Sequence, residues 1–295
     1  MATDLSQTME KLIGKKIHLT SNLCQVCLNK GIKQNTMIHE KAEVCPKCSL
    51  QKYHDQLQDE CNQYYQGVEE RKRKEFFYQN SIIEDPTIVD ATFENFIPEC
   101  EEEKENKAKA WRYTEEFIAG HNRTILLAGE SGRGKSHLSH AIAHKTNEEG
   151  SGTVLYVSCH FLFKKIRSTF RKDSELSEED ILQMIIKSDM VVFDDFGCSL
   201  GDYRDVNQLA LWFHQSNGQG DITKLIRASK FENDVWGSIL DGRQKKKNVF
   251  VTNLTGPAIR YGYDPRVASR LLRVHADDIM QFKHTPDRRR KEFLF

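Results

Sequence analysis

Net charge is missing from this chain of 295 residues, because 43 basic and 43 acidic side chains cancel. A strong nucleic-acid binder is expected to be basic overall, so the balance argues against a uniformly cationic coat. Long apolar runs are also missing. No stretch approaches the roughly 20 apolar residues that a bilayer-spanning helix needs, which argues against a membrane protein. The opening MATDLSQTMEKLIGKK lacks the apolar core of a secretory signal. With 6 Pro, 17 Gly and no internal repeat, the chain is neither collagen-like nor mucin-like. What is present suffices for a core: mean hydropathy is −0.62, but 16 Phe, 9 Tyr and 3 Trp stand among 38% hydrophobic residues. At roughly 150 residues per domain, the length predicts one large domain with one or more small ones.

Eight cysteines are distributed unevenly. Cys24, Cys27, Cys45 and Cys48 form CQVC and CPKC with seventeen residues between the pairs. Each C-x2-C can present two sulfurs to one metal, and the intervening loop can bring the pairs together. A closed set of four thiolates leaves no position for substrate, so the reading is structural zinc. Two disulfides would need an oxidising compartment, which the missing signal argues against. His39, His54 and Cys61 are spare ligands nearby, and Cys100, Cys159 and Cys198 read as buried thiols.

Residues 51–81 are rich in Gln, Glu, Lys and Arg with aromatics interspersed, and predict a long helix. Its segment EERKRKEFF reads as a solvated surface. Glu84-Asp85-Pro86 breaks the pattern, and ATFENFIPECEEEKENK predicts a linker ending in an acidic run. From about Lys107 short apolar runs alternate with helical patterns: TILLAG, TVLYVS, MVVFDD and NVFVTN. That alternation predicts a parallel sheet covered on both faces, an α/β fold. The expected domains are 1–62 (zinc-binding), 63–106 (helical linker) and 107–295 (the α/β domain).

Gly129 to Ser136, GESGRGKS, fits G-x4-G-K-[ST] between a strand and a helix, the context that identifies a P-loop. Gly129, Gly132 and Gly134 permit close backbone approach, and the amides from Glu130 through Ser131 and Arg133 to His137 would cradle phosphates. Lys135 would contact the β- and γ-phosphates of ATP, and Ser136 would ligate Mg2+. MVVFDD ends in Asp194, the second Mg2+ residue, and in Asp195, the expected base for the attacking water. Asp is one methylene shorter than Glu, which predicts modest turnover. Asn253, at the end of NVFVTN, would orient water and γ-phosphate. Arg270 and Arg266, four apart on one helical face, are candidates for a guanidinium supplied to an adjacent subunit, against the alternative of ordinary ion pairs. Arg243 is a third candidate.

The P-loop, the DD-ending strand, Asn253 and RVASR together resemble an AAA+ ATPase. Only 25 residues follow Arg270, too few for the helical lid most AAA+ proteins carry. The chain thus resembles the lidless replicative-helicase loaders (DnaC/DnaI type) and the related transposition helper ATPases (IstB type). The run from TVLYVS through MVVFDDFG and the lead-in ATFENFIP are similar to the loader type, and the cysteine module resembles that of DnaI-type loaders and speaks against the helpers. The 198–233 stretch departs from the family pattern as an insertion. The resemblance implies an ATPase switch that binds a hexameric DnaB-type helicase through its amino-terminal module, engages single-stranded DNA and self-assembles. It also implies a bacterial cytoplasmic setting, host- or phage-encoded. The alternatives are a transposition helper and a helicase-binding adaptor that does not hydrolyse ATP.

For DNA, FLFKKIRSTFRK gathers Lys164, Lys165, Arg167, Arg171 and Lys172 with Phe163 and Phe170. Cations that track phosphates and aromatics that stack bases are the components of single-strand binding. The same pattern describes an amphipathic helix with buried Phe, and the family resemblance favours DNA. Lys283 and DRRRK form a second basic cluster. Net neutrality is therefore a sum of an acidic 84–105 stretch and local basic clusters, and it leaves a local DNA groove open.

Overall fold

The computed structural model describes residues 18–39, 42–171, 176–216 and 227–288. Lys172 and the basic residues Arg289, Arg290 and Lys291 lie outside them. The chain divides into two compact units, Met1–Glu70 and Arg71–Phe295.

In the first unit β1 (His18–Leu23), β2 (Asn35–His39) and β3 (Ala42–Val44) form an antiparallel sheet in that order. A short helix, α1 (Gln25–Asn29), follows β1, and α2 (Pro46–Asn80) starts inside the second C-x2-C pair. The buried cluster of this unit is Cys24, Cys27 and Cys45, with Ile32 and Cys48 packed against it. So few apolar groups cannot offset the chain entropy of folding, and a unit this small needs another source of stability. The long helix expected over 51–81 is α2, which begins five residues earlier; of its 35 residues only Phe77 is buried.

The second unit carries α3 (Glu101–Ile118), β4 (Thr124–Gly129), α4 (Lys135–Glu149), β5 (Val154–Ser158), α5 (Cys159–Ser168), α6 (Glu178–Lys187) and β6 (Met190–Phe196). Then follow α7 (Tyr203–Gln215), α8 (Lys230–Gly242), β7 (Lys247–Thr252), α9 (Gly256–Gly262), α10 (Pro265–Leu271) and β8 (Ile279–Phe282). The five strands form one sheet in the order β5-β6-β7-β4-β8, every pair parallel. Parallel strands need both faces covered, and two apolar clusters do this. Leu155, Val191, Phe193 and Phe250 pack with Trp236 on one face, and Tyr156, Val192, Val251 and Leu127 pack with Phe96 and Phe117 on the other. This is the α/β architecture that the alternating runs predict. No described helix is long and apolar enough to cross a membrane.

The acidic run Glu101-Glu102-Glu103 forms the first turn of α3, where the helix dipole favours anions. Glu102 accepts the backbone N–H groups of His284 and Thr285 at 2.8 Å. Glu103, fully buried, takes the Arg288 guanidinium through both oxygens at 2.8 and 2.6 Å. These carboxylates anchor the segment that follows β8. Cys159 is buried as expected, whereas Cys100 is half-buried and Cys198 exposed. Cys198 opens a 3-10 turn just past β6, where the chain leaves the sheet.

Arg243 does not serve as a phosphate-directed guanidinium. It is 1% exposed at the end of the sheet where β7 begins, and donates to Asn248 Oδ1 at 2.6 Å and to the carbonyls of Ile185, Ser188 and Lys247 at 2.6, 2.7 and 2.8 Å. Burial pulls its pKa down to about 9, so it remains charged at neutral pH. Replacing it by Met would remove the guanidinium from four acceptors, of which the Ser188 carbonyl keeps Lys246 Nζ at 3.2 Å. Arg243→Met is expected to lower unfolding free energy by about 4 kcal/mol in urea titrations.

Candidate functional site: nucleotide cleft and cysteine cluster

The strand order puts β7 between β4 and β6, so three strand ends open at one edge of the sheet. β4 delivers the P-loop there. Gly132 and Gly134 take φ of 81° and 79°, a region that suits glycine. A Cβ on Gly132 would also stand 2.0 Å from Asp287 Oδ1. Gly134 caps α4, which starts at Lys135. Lys135 is 5% exposed, and its Nζ donates to the Glu130 carbonyl at 2.6 Å and to Asn253 Oδ1 at 2.8 Å. Buried ammonium held by two neutral oxygens is arranged to meet anionic phosphate oxygens.

At the end of β6, Asp194 accepts from Ser136 Oγ at 3.0 Å through one oxygen and from the Tyr156 phenol at 2.6 Å through the other. Burial, then the neighbouring Asp195, pushes the Asp194 pKa up to about 6. Burial and Asp194 together push the Tyr156 phenol well above its usual range, so that hydroxyl keeps its proton and donates. The pairing of β6 with β7 slips between Phe193 and Phe196. This bulge, with φ of 54° at Asp195, turns the Asp195 side chain out toward the cleft, as bulges beside active sites do.

The cleft is lined by Ser131 to His137, Asp195, Asn253 and Arg288, and on its other side by Asp85, Thr87, Ile88 and Ala91. The lead-in segment is pinned to α4: His137 Nε2 lies 3.0 Å from the Thr92 carbonyl, and His140 Nδ1 lies 2.9 Å from that of Ala91. Phe96 is fully buried beneath the loop. The oxygens of Ser136 and Asp194 and the ammonium of Lys135 fit Mg2+ and a phosphate chain. Glu130 pairs with Arg133 at 2.5 Å at the loop's edge.

The structure thus gathers Lys135, Ser136, Asp194, Asp195 and Asn253, all named from sequence. It does not bring Arg266 and Arg270 to this cleft. Both arginines of α10 pair with Asp241 of α8, Arg270 at 2.5 Å. The ion-pair alternative is therefore realised within the chain. The sequence gives no sign that Tyr156 backs this cleft or that Arg288 and the 85–91 segment line it. A tyrosine within an apolar strand gives no periodic signal, and Arg288 reaches the cleft only because β8 returns beside β4.

In the basic cluster, Lys164 and Arg167 lie on the exposed side of α5, and Arg171 is exposed just beyond it. Lys165 is half-buried. Phe163 is not available to bases: it is 5% exposed and packs edge-on against Trp236. Its side of α5 faces the sheet with Leu162 and Ile166. Phe170, beyond the helix end, is 62% exposed and touches Phe231.

The four cysteines named from spacing meet in the first unit, their sulfurs all within 4.8 Å of one another. Sγ–Sγ separations of 3.7, 3.7 and 3.5 Å are close to the roughly 3.8 Å edge of a tetrahedron with Zn–S bonds of about 2.3 Å. They are far longer than a disulfide bond. Among the described residues neither histidine nor Cys61 joins the cluster. The donor set fits zinc.

Two outcomes are expected. Metal analysis should find one zinc per chain, and Cys48→Ala should lose it together with the far-UV signature of the first unit. Tyr156→Phe should raise the Mg2+ concentration needed for half-maximal nucleotide binding about tenfold, the usual effect of losing an outer partner of a metal ligand. Nucleotide affinity measured in EDTA should not change.

Residues 89–219 match the model of the bacterial DnaA ATPase domain. The replicative helicase loader DnaC of Escherichia coli K12 is 33% identical over 112 residues, 38% of this chain and 44% of that protein. DnaC of Buchnera aphidicola subsp. Schizaphis graminum is 28% identical over 109 residues, 37% of this chain and again 44% of that relative. The match therefore spans less than half the length of these relatives. Among solved structures, DnaI covers 74% of this chain and 99% of its own at 19% identity and TM-score 0.50. The DnaC helicase loader covers 68% and 100% at 14% identity and TM-score 0.50. The last two show likeness of fold. With the P-loop, the paired aspartates and the β5-β6-β7-β4-β8 sheet, these findings show that the nucleotide-binding domain of this chain is similar in sequence and fold to DnaC-type AAA+ helicase loaders.

Proposed function

We propose that this protein is an ATP-dependent loader of a hexameric, DnaB-type replicative helicase, working in the bacterial cytoplasm. The observation that carries the reading is the meeting of Lys135, Asn253, Ser136 and Asp194 at one sheet edge, in a domain similar to a helicase loader.

In the proposed reaction the backbone of Gly129 to Gly134 and the amide end of α4 receive the phosphates of ATP, and Lys135 exchanges its two internal oxygens for phosphate oxygens. Ser136 and Asp194 would hold Mg2+, which when bound would offset charge on the phosphates. Asp195, turned outward by the bulge, accepts the proton of the attacking water, which Asn253 orients against the γ-phosphate. The water oxygen bonds the γ-phosphorus as the bond from that phosphorus to the bridging oxygen breaks, and ADP leaves with phosphate as the other product. Arg270, or Arg266 beside it, leaves Asp241 when a second subunit docks and stabilises charge in that neighbour's site. Its absence from the chain's own cleft supports a role in trans.

The zinc-holding unit is assigned the helicase contact. Lys164, Lys165, Arg167, Phe170 and Arg171 are assigned single-stranded DNA, with Phe170 the exposed stacking surface and the cations tracking phosphates.

The test is a size-resolved mixture with a hexameric replicative helicase, with and without ATP. A co-migrating complex is expected, and its absence in both conditions overturns the loader reading. ATP hydrolysis in the presence of single-stranded DNA should fall at least a hundredfold in Lys135→Ala. Equal rates for the two proteins would leave a nucleotide-binding adaptor in place of an ATPase.

A further inference from the structure

Helix α7, within the 198–233 stretch, packs against the turn that carries Asn253 to the nucleotide cleft. Val206 and Ala210 bury its inner face, and Phe213 stacks edge-on against Tyr261 of α9 with ring centroids 5.1 Å apart. Between these anchors, Asn207 points at the turn that follows β7. Its Nδ2 donates to the backbone carbonyl of Asn253 at 2.9 Å. Its Oδ1 accepts the backbone N–H of Thr255 at 2.8 Å and the Thr255 hydroxyl at 3.1 Å. One primary amide therefore uses both its donor and its acceptor to span residues 253 to 255.

That turn is held from inside as well. Leu254 is 4% exposed, and a Cβ on Gly197 would stand 2.2 Å from its Cδ1. Thr255 caps α9 by accepting from Ala258 N. Between the buried Leu254 and the β7 ladder, the backbone of Asn253 has little freedom, and the Asn207 amide sets what remains. The side chain so aimed is the one that meets Lys135 Nζ at 2.8 Å.

We infer that Asn207 is a positioning residue for Asn253, so that α7 sets the aim of the amide that reads the γ-phosphate. The inference rests on the role proposed above for Asn253. Asn207 itself touches no phosphate. A hydrogen bond to a charged group is among the stronger ones, so a misaimed Asn253 should forfeit about tenfold in preference for ATP over ADP.

Equilibrium binding of fluorescent ATP and ADP analogues to the full chain provides the primary test. Asn207→Ala should bind the ADP analogue within twofold of wild type and lose about tenfold of the ATP-over-ADP preference. Asn207→Asp, nearly isosteric, keeps the acceptor for Thr255 but sets a carboxylate oxygen against the Asn253 carbonyl, and should lose as much. It keeps the test open if the alanine variant unfolds. In the Asn253→Ala background, Asn207→Ala should have no further effect, since coupled residues are non-additive. A full additional loss in that background, or an unchanged preference in both single variants, overturns the inference. If wild type shows a preference that Asn253→Ala leaves intact, the role of Asn253 fails, and the inference falls with it. If hydrolysis is absent but the preference and its loss are seen, only the ATPase reading is lost.

Discussion

The nucleotide cleft depends on one topological constraint: β7 runs between β4 and β6, and all three point the same way. Parallel strands end at a common edge, so residues far apart in the sequence arrive within hydrogen-bond distance. Lys135 reaches Asn253 across 118 positions, and Ser136 reaches Asp194 across 58. Hydrophobic alternation buries these strands on both faces, and the polar groups are confined to the end where the helices begin. The helix N-terminus and the Lys135 ammonium then supply the positive potential that a phosphate chain requires.

The edge is stiffened by buried polar groups that each have a fixed partner. Tyr156 holds one oxygen of Asp194 from the buried side, which leaves the other facing Ser136. Glu103 and Arg288 close the segment after β8 over the P-loop, where the Arg288 backbone N–H bonds the Gly132 carbonyl at 2.9 Å. At the opposite end of the sheet Arg243 gathers carbonyls from α6, the turn after it and β7. Satisfied networks of this kind specify one arrangement, because a half-satisfied one is costly in a low dielectric. The first unit follows a different physics: its buried cluster is made of cysteines whose spacing fits a metal ion, and a bound ion would supply the order that apolar burial does not.

How much was legible in the sequence follows from the range of each signal. GESGRGKS and the two C-x2-C pairs are local, since their spacing alone fixes which backbone amides or sulfurs can converge. TILLAG coincides with β4, and MVVFDD and NVFVTN fall within a residue or two of β6 and β7. The surroundings of Phe163 and Arg243 were not legible, because a side chain's type does not tell which neighbours the fold brings to it. One packs against Trp236 and the other against four acceptors at the wrong end of the sheet. Phe170, two residues past the end of α5, escapes that burial and stays exposed.

The sequence by itself determined the chemistry available: a phosphate-cradling loop, paired carboxylates at a strand end, four thiolates, and strands that must lie inside a covered parallel sheet. These are consequences of residue type and short spacing. Only the tertiary structure decided which groups act on one another. It put Asp195 on a bulge facing the cleft, paired Arg266 and Arg270 with Asp241, set Tyr156 behind Asp194, and brought Asn207 of α7 to the turn that carries Asn253. Those pairings depend on strand order and on the faces that helices bury, which no local pattern encodes.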